Sequence, residues 1–297
     1  MGLAKKKKAT RRTAKKSKII TDIYDLNNEY LDVELDEIVP EDQGTGMVDE
    51  DWNIAKASFP LADFENSQFM IAESSWRDLA AQLESKIRQL VWMIMNQGRE
   101  GSCVGFSTTQ ACQVRSSWQF GPNYRRELSG ISLYNRIGRS AQSGAMMSDG
   151  ARESAEDGIV PLDTPENRRL YTHVYRPRGF VGERGMNREL PGWMDTAKLF
   201  KPVWLRINSF DAWISALLRG MPIMYGRSGH AICSLLPKWR RNDWYLGYLN
   251  SWGPWGDVVN SALPAGMGWD HIRTIRRCVG YACVNMSIRP QEMQLAA

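Results

Sequence analysis

The chain has 297 residues, 43% of them apolar and 24% charged, with a formal net charge of +5. That is ordinary globular composition, long enough for a two-lobed domain plus an extension at about 100–200 residues per domain. There is no run of 18 apolar residues to make a transmembrane helix, and the basic N-terminus lacks the apolar stretch of a secretory signal, so no membrane partner is expected.

Residues 1–18 carry Lys5, Lys6, Lys7, Lys8, Arg11, Arg12, Lys15, Lys16 and Lys18 and no acid. Like charges repel and no apolar period is present, which predicts a disordered basic tail. Such a tail binds nucleic acid or another polyanion by releasing counterions, or simply stays solvated. No aromatic interleaves the lysines, so base stacking is not indicated. Residues 19–74 form an acidic extension: positions 20–66 hold fourteen acids against the single base Lys56. Little helix is expected there, and the segment is predicted to lie over the body.

A helical lobe is expected over 75–202. Trp76, Leu79, Leu83, Ile87, Leu90 and Ile94 fall near one face, predicting a helix over 74–95 capped by Ser74 or Ser75. Further helices are expected over 103–119, from 129 to 137 behind a serine cap, and over 150–157 with Gly158 as the stop. Residues 165–202, rich in Pro, Gly and Arg, read as irregular. Beyond them a β-rich lobe spans 203–297, with strands at 203–207, 221–225, 230–236, 244–249 and 279–288 and a short helix over 210–219. The fold class is therefore α+β. Twelve tryptophans point to a bulky aromatic core.

The five cysteines (Cys103, Cys112, Cys233, Cys278 and Cys283) are odd in number and show no CxxC spacing, which predicts reduced thiols and an intracellular setting. His173, His230 and His271 form no metal-ligand pattern, so neither metal nor cofactor is expected. Cys103 opens a predicted helix behind Gly101-Ser102, where the helix dipole favours thiolate and an adjacent imidazolium lowers the thiol pKa further. Ser102 turns the backbone into that helix. Gln97, six residues earlier, can donate its amide to an oxyanion. His230 can take and return the thiol proton, Asn250 can fix the imidazole tautomer, and Trp252 can shield that hydrogen bond. Cys112 lies on the opposite helical face, where a core thiol is expected, and Cys278 and Cys283 read as packing residues. His173 and His271 read as surface or structural residues.

Asn96 to Ser107, Gly229-His230-Ala231 and Asn250-Ser251-Trp252-Gly253 resemble the three signature blocks of the papain family of cysteine peptidases. The intervals, 127 residues from Cys103 to His230 and 20 from His230 to Asn250, are similar to those of family members. The likeness covers roughly residues 75–290. It implies a helical lobe bearing Cys103, a β lobe bearing His230 and Asn250, a peptide-binding cleft between them, and hydrolysis of a polypeptide substrate through an acyl-enzyme, with Gln97 as oxyanion donor. Several positions depart from the pattern. Glu100 stands at a family disulfide position, Val104 replaces a tryptophan, and Gly105 replaces an alanine, which suggests a smaller or more flexible wall beside the nucleophile. The segment Ser143 to Asp149 is not a clean match to the glycine-rich cleft lining, which leaves substrate preference open. Residues 19–75 do not resemble the family's inhibitory propeptide, and a segment lying over the cleft stays open as an alternative.

Two other readings compete with the peptidase. In one, the fold is kept for structure or binding, as in a phage or virion component that holds nucleic acid through the basic tail. In the other, the same catalytic parts act on a non-protein amide, in peptidoglycan cleavage or transamidation.

Overall fold

A six-stranded antiparallel sheet positions the site. Its strands are β1 (Lys201–Ile207), β2 (Ile223–Arg227), β3 (His230–Arg240), β4 (Asp243–Leu249), β5 (Met267–His271) and β6 (Gly280–Ser287), in the order β1-β6-β2-β3-β4-β5. The structure is a computed structural model that describes residues 45–50, 53, 59–138, 140–170, 196–227, 229–254, 266–275 and 280–287. The basic tail from Lys5 to Lys18, the acidic stretch 19–44, His173 and Cys278 lie outside the described residues.

The sheet is covered on both faces because its strands alternate. Met224, Ala231, Cys233, Leu249, Tyr281 and Cys283 pack into one core, while Ile223, Tyr225, Ile232, Leu246, Ala282 and Val284 pack into another. Helix α1 (Trp76–Leu90) spans both, with Leu83, Ile87 and Leu90 in the first core and Trp76 and Ala80 in the second, while helix α2 (Cys103–Phe120) packs mainly into the first. The helices that follow are α3 (Gly130–Ile137), α4 (Met147–Asp157), α5 (Pro165–Leu170), α6 (Phe210–Leu218) and α7 (Ile272–Ile275). Helix α6 closes the second core with Ala212, Trp213, Ile214 and Leu217. The architecture is α+β, as the patterning predicts.

The departures from the predicted elements have physical causes. Helix α1 stops at Leu90 instead of continuing to 95, because the backbone beyond it is paired elsewhere. Gln97 N–H donates to Ser251 O at 2.7 Å, and Gly253 N–H donates to Met95 O at 2.8 Å. Helix α4 begins at Met147, before the expected 150. The N–H of Ser148 is capped at 2.6 Å by the carboxylate of Glu50, a residue far away in sequence. Strand β3 continues to Arg240 because it turns into β4 through Arg241 and Asn242, both at positive φ, as two-residue hairpin turns require. Strand β5 has no alternating pattern of its own and forms by pairing with β4, from Leu249 opposite Met267 to Tyr245 opposite His271. Helix α5 falls inside the stretch expected to be irregular.

Three expectations are met by side-chain detail. The Ser129 hydroxyl accepts from Ser132 N–H at 3.1 Å and caps α3. Gly158 ends α4 with φ 77°, a conformation that favours glycine. Cys112, Cys233 and Cys283 are free, buried thiols. Gly105, in contrast, does not loosen the wall beside Cys103. A Cβ built there would lie 2.5 Å from the Gly130 carbonyl oxygen, so the glycine permits close packing of α2 on α3.

Candidate active site

Cys103 is the first residue of α2, behind Ser102 at the N-cap. Helix α2 is buried along nearly its whole length, which places the helix start, and the sulfur with it, against the sheet. The N–H of Ala231 donates to Cys103 Sγ at 3.4 Å, so the sulfur meets the residue directly after His230. Ser102 is itself buried, and its hydroxyl has no hydrogen-bond partner among the described residues. It therefore acts through its backbone, accepting from Phe106 N–H at 3.1 Å, rather than as a side-chain cap.

His230 opens β3, paired with Arg227 at the end of β2. Its Nε2 lies 2.8 Å from Asn250 Oδ1, which also accepts from Ser251 N–H at 2.7 Å. An oxygen that accepts from a backbone N–H fixes the amide orientation, so Nε2 carries the proton in the neutral ring. Nδ1 is buried and has no hydrogen-bond partner among the described residues. It is thus the nitrogen left for proton exchange. Trp252 stacks on the imidazole at 4.5 Å between centroids and 23° between planes, screening the His230–Asn250 bond from water. Gln97 is fully buried; its Nε2 donates to Glu100 O at 2.8 Å, and its Oε1 accepts from the Ser251 hydroxyl. The structure thus places Cys103, His230, Asn250, Gln97 and Trp252 in one region. His271 lies elsewhere and pairs with Asp243 Oδ2 at 3.0 Å.

The sulfur does not face open solvent, because a short strap from the N-terminal extension runs over it. Met47 N–H donates to Gly229 O at 2.8 Å, Val48 N–H to Ala145 O at 3.0 Å, and Ala145 N–H to Gly46 O at 2.8 Å. Met47 and Ala145 form a parallel bridge. The strap therefore spans from the turn before His230 to the loop before α4. Gly46 is pressed onto Gly101, where a Cβ would lie 2.1 Å from the Gly101 carbonyl oxygen. Its backbone lies close enough to the Cys103 sulfur to favour the thiolate. Glu50 anchors the far end, accepting from Ser148 N–H and from the Tyr281 hydroxyl at 3.2 Å. Gly46, Met47 and Glu50 are site residues that the sequence patterning missed. The only local signal was glycine in an acidic run, at Gly44-Thr45-Gly46-Met47.

Burial by this strap and the surrounding core reverses the protonation expected from the helix dipole. The Cys103 thiol is pushed up to about 11 by desolvation, despite the N–H groups of Ala231 and Gly46 that favour thiolate. Desolvation pushes His230 down to about 4, against the Asn250 hydrogen bond. The closed site therefore holds a neutral thiol beside a neutral imidazole, not the ion pair. Glu100, buried without a partner for Oε1 among the described residues, is raised to about 8 by desolvation.

No protein-family model matches the chain, and no curated protein does. Solved structures do share its fold. Xylellain, a cysteine protease from Xylella fastidiosa, superposes with a TM-score of 0.55 at 16% identity, over 84% of this chain and 99% of that one. Procathepsin B S9 from Trypanosoma congolense gives 0.52 at 11% identity, over 81% and 86%. Digestive procathepsin L 3 of Tenebrio molitor larval midgut gives 0.50 at 14% identity, over 67% and 69%. The fold is that of the papain-like cysteine proteases.

Proposed function

We propose that this chain, built on the papain-like fold, is a cysteine peptidase whose site is closed by its own residues 45–50. The observation that carries the reading is the oriented pair. His230 is held through Nε2 by Asn250 and covered by Trp252, its Nδ1 has no partner among the described residues, and Cys103 Sγ meets the next residue, Ala231.

In the open site, the thiol proton passes to His230 Nδ1 and Sγ attacks the substrate carbonyl carbon. The oxyanion is held by the Cys103 N–H and the Gln97 amide. The tetrahedral adduct collapses with cleavage of the C–N bond, and His230 returns its proton to the departing amine. Water then attacks the thioester, giving its proton to His230, and the thiol is restored as the acid leaves. Asn250 keeps the ring in register through both halves.

Labelling with an epoxysuccinyl thiol probe tests this reading in the wild type, in Gly46→Val, where a side chain has no room, and in Gly46→Val/Cys103→Ala. Slow labelling of the wild type, fast labelling of Gly46→Val and none without Cys103 is the expected pattern. An unlabelled Cys103 in Gly46→Val would instead favour a fold retained for structure or binding.

A further inference from the structure

Arg227 ends β2 directly opposite His230, the first residue of β3. Residues paired in this way hold their Cβ atoms about 4.5–5.5 Å apart, close enough for one charge to act on the other. A cation there opposes a second positive charge, and the proposed reaction places one on His230 whenever the imidazole holds the thiol proton. Arg227 does not stand alone. Its guanidinium pairs with the Asp270 carboxylate of β5, whose other oxygen accepts from the Tyr225 hydroxyl at 2.7 Å. The Asp270 side chain is 1% exposed and that of Arg227 16%, so solvent ions screen the pair little. Strands β2 and β5 are not neighbours, since β3 and β4 lie between them in the sheet. The two bonds therefore reach past two strands and tie the end of β2, beside His230, to a carboxylate on the edge strand.

We propose that Asp270 is a positioning residue for the proposed reaction: it holds Arg227 and offsets its charge beside His230, so that the imidazole can carry the proton between thiol and leaving group. The inference rests on the peptidase reading of Cys103 and His230. Among the described residues, the charged or titratable groups facing His230 are Cys103 of α2 and Arg227, Asn250 and Trp252 being uncharged. The groups around Arg227 are Asp270, Tyr225 bonded to Asp270, and Tyr248 of β4. Burial raises Tyr248 against the opposing charge of Arg227, so its hydroxyl stays neutral and does not offset the guanidinium. Desolvation is the main cause of the depressed His230 value, and Arg227 lowers it further. Asp270 is the carboxylate placed to limit that second effect. An uncharged residue in its place would leave the guanidinium unopposed, and the imidazolium would give up its proton at lower pH.

The His230 ring titration, followed by NMR in the full-length Gly46→Val protein and assigned by its loss in His230→Ala, tests this without turnover. Asp270→Asn keeps the size and an acceptor for the Tyr225 hydroxyl. It should lower the His230 value by about 1 unit or more, the scale of a close charge, and adding Arg227→Gln should restore it. Leaving a buried charge unpaired is strongly destabilising, so Arg227→Gln is also compared with Arg227→Gln/Asp270→Asn, neither of which has a guanidinium to strand. His230 should titrate higher in the single variant, which keeps the carboxylate, than in the double. An unchanged titration in folded Asp270→Asn overturns the proposal, as do equal values in the second comparison where Asp270→Asn does not fold; either leaves the peptidase standing. The basic limb of epoxysuccinyl labelling at Cys103 should move down with the His230 value in Asp270→Asn. A labelling profile that stays fixed while the ring titration moves also overturns the proposal. A moved ring titration with no labelling of Cys103 at any pH removes the peptidase reading, and the part of Asp270 in the reaction with it.

Discussion

Asn250 Oδ1 accepts from both His230 Nε2 and Ser251 N–H, so one amide oxygen fixes the imidazole and its own loop. Replacing Asn250 with Ala frees the ring to rotate on Trp252. A small misplacement of this kind costs about 10²-fold in rate, and on the proposed mechanism Gln97→Ala should cost about 10²–10³-fold through loss of an oxyanion donor. Both are read as probe-labelling or hydrolysis rates in an open-strap background, with an unchanged melting curve as the control for folding. The same burial that orients the pair also ties closure to pH. His230 has a depressed value in the closed state, so its contribution to closure is present above its ordinary 6.5 and lost as pH falls toward 4. Cys103 has a raised value, so its contribution is present below the ordinary 9.0 and lost as pH rises toward 11. Closure should therefore be firmest between about 6.5 and about 9. Hydrogen exchange at the Met47 and Val48 amides, corrected for intrinsic rates, should accelerate below pH 6; flat exchange down to pH 5 would contradict this. The placement of these residues near one another was legible from the three sequence blocks because each needs only a side-chain type at a set interval. The protonation state was not legible, since desolvation depends on what covers the site.

The strap and α4 form one unit through Glu50, whose carboxylate caps the helix and accepts from Tyr281. Desolvation raises the Glu50 value, against the hydrogen bonds of Ser148 and Tyr281. Its contribution to docking is thus present at low pH and lost as pH rises through the raised value, opposite in sign to that of His230. Glu50→Gln keeps an acceptor for Ser148 N–H without the buried charge and should slow Met47 and Val48 exchange at pH 8. Glu50→Ala removes the cap, which typically costs ~0.5–2 kcal/mol, and should speed that exchange. Faster exchange in both variants would show that the charge itself holds the strap. The helices and most strands were legible because periodicity is a local property. The start of α4, the end of α1 and the whole of β5 were not. Each is decided by a partner distant in the chain: Glu50, the Ser251–Gly253 backbone and β4 respectively. Gly105 belongs with them, since its role is set by the Gly130 carbonyl of another helix. Gly105→Ala should cost about 1–3 kcal/mol through overpacking, seen as a lower Tm.

Across the whole molecule, the N-terminal segment joins the two sides of the sheet to the site. Phe64 is fully buried in the core under α6, and Asp63 bonds the buried Arg206 of β1 at 2.7 Å. The chain then reaches α1 and the nucleophile loop. The acidic composition of residues 20–66 was legible, but the passage of Gly46 and Met47 over the sulfur was not, because nothing local marks a residue chosen for close approach to Gly101. The central claim joins both levels: a complete acyl-transfer site that its own chain closes. The most direct measurement is a mass-spectrometric count of new peptide ends in an unfolded protein such as casein, incubated with wild type, Gly46→Val and Gly46→Val/Cys103→Ala. The account predicts many new ends with Gly46→Val, few with the wild type and none without Cys103. A folded Gly46→Val protein that produces no new ends, or ends that persist without Cys103, would contradict it.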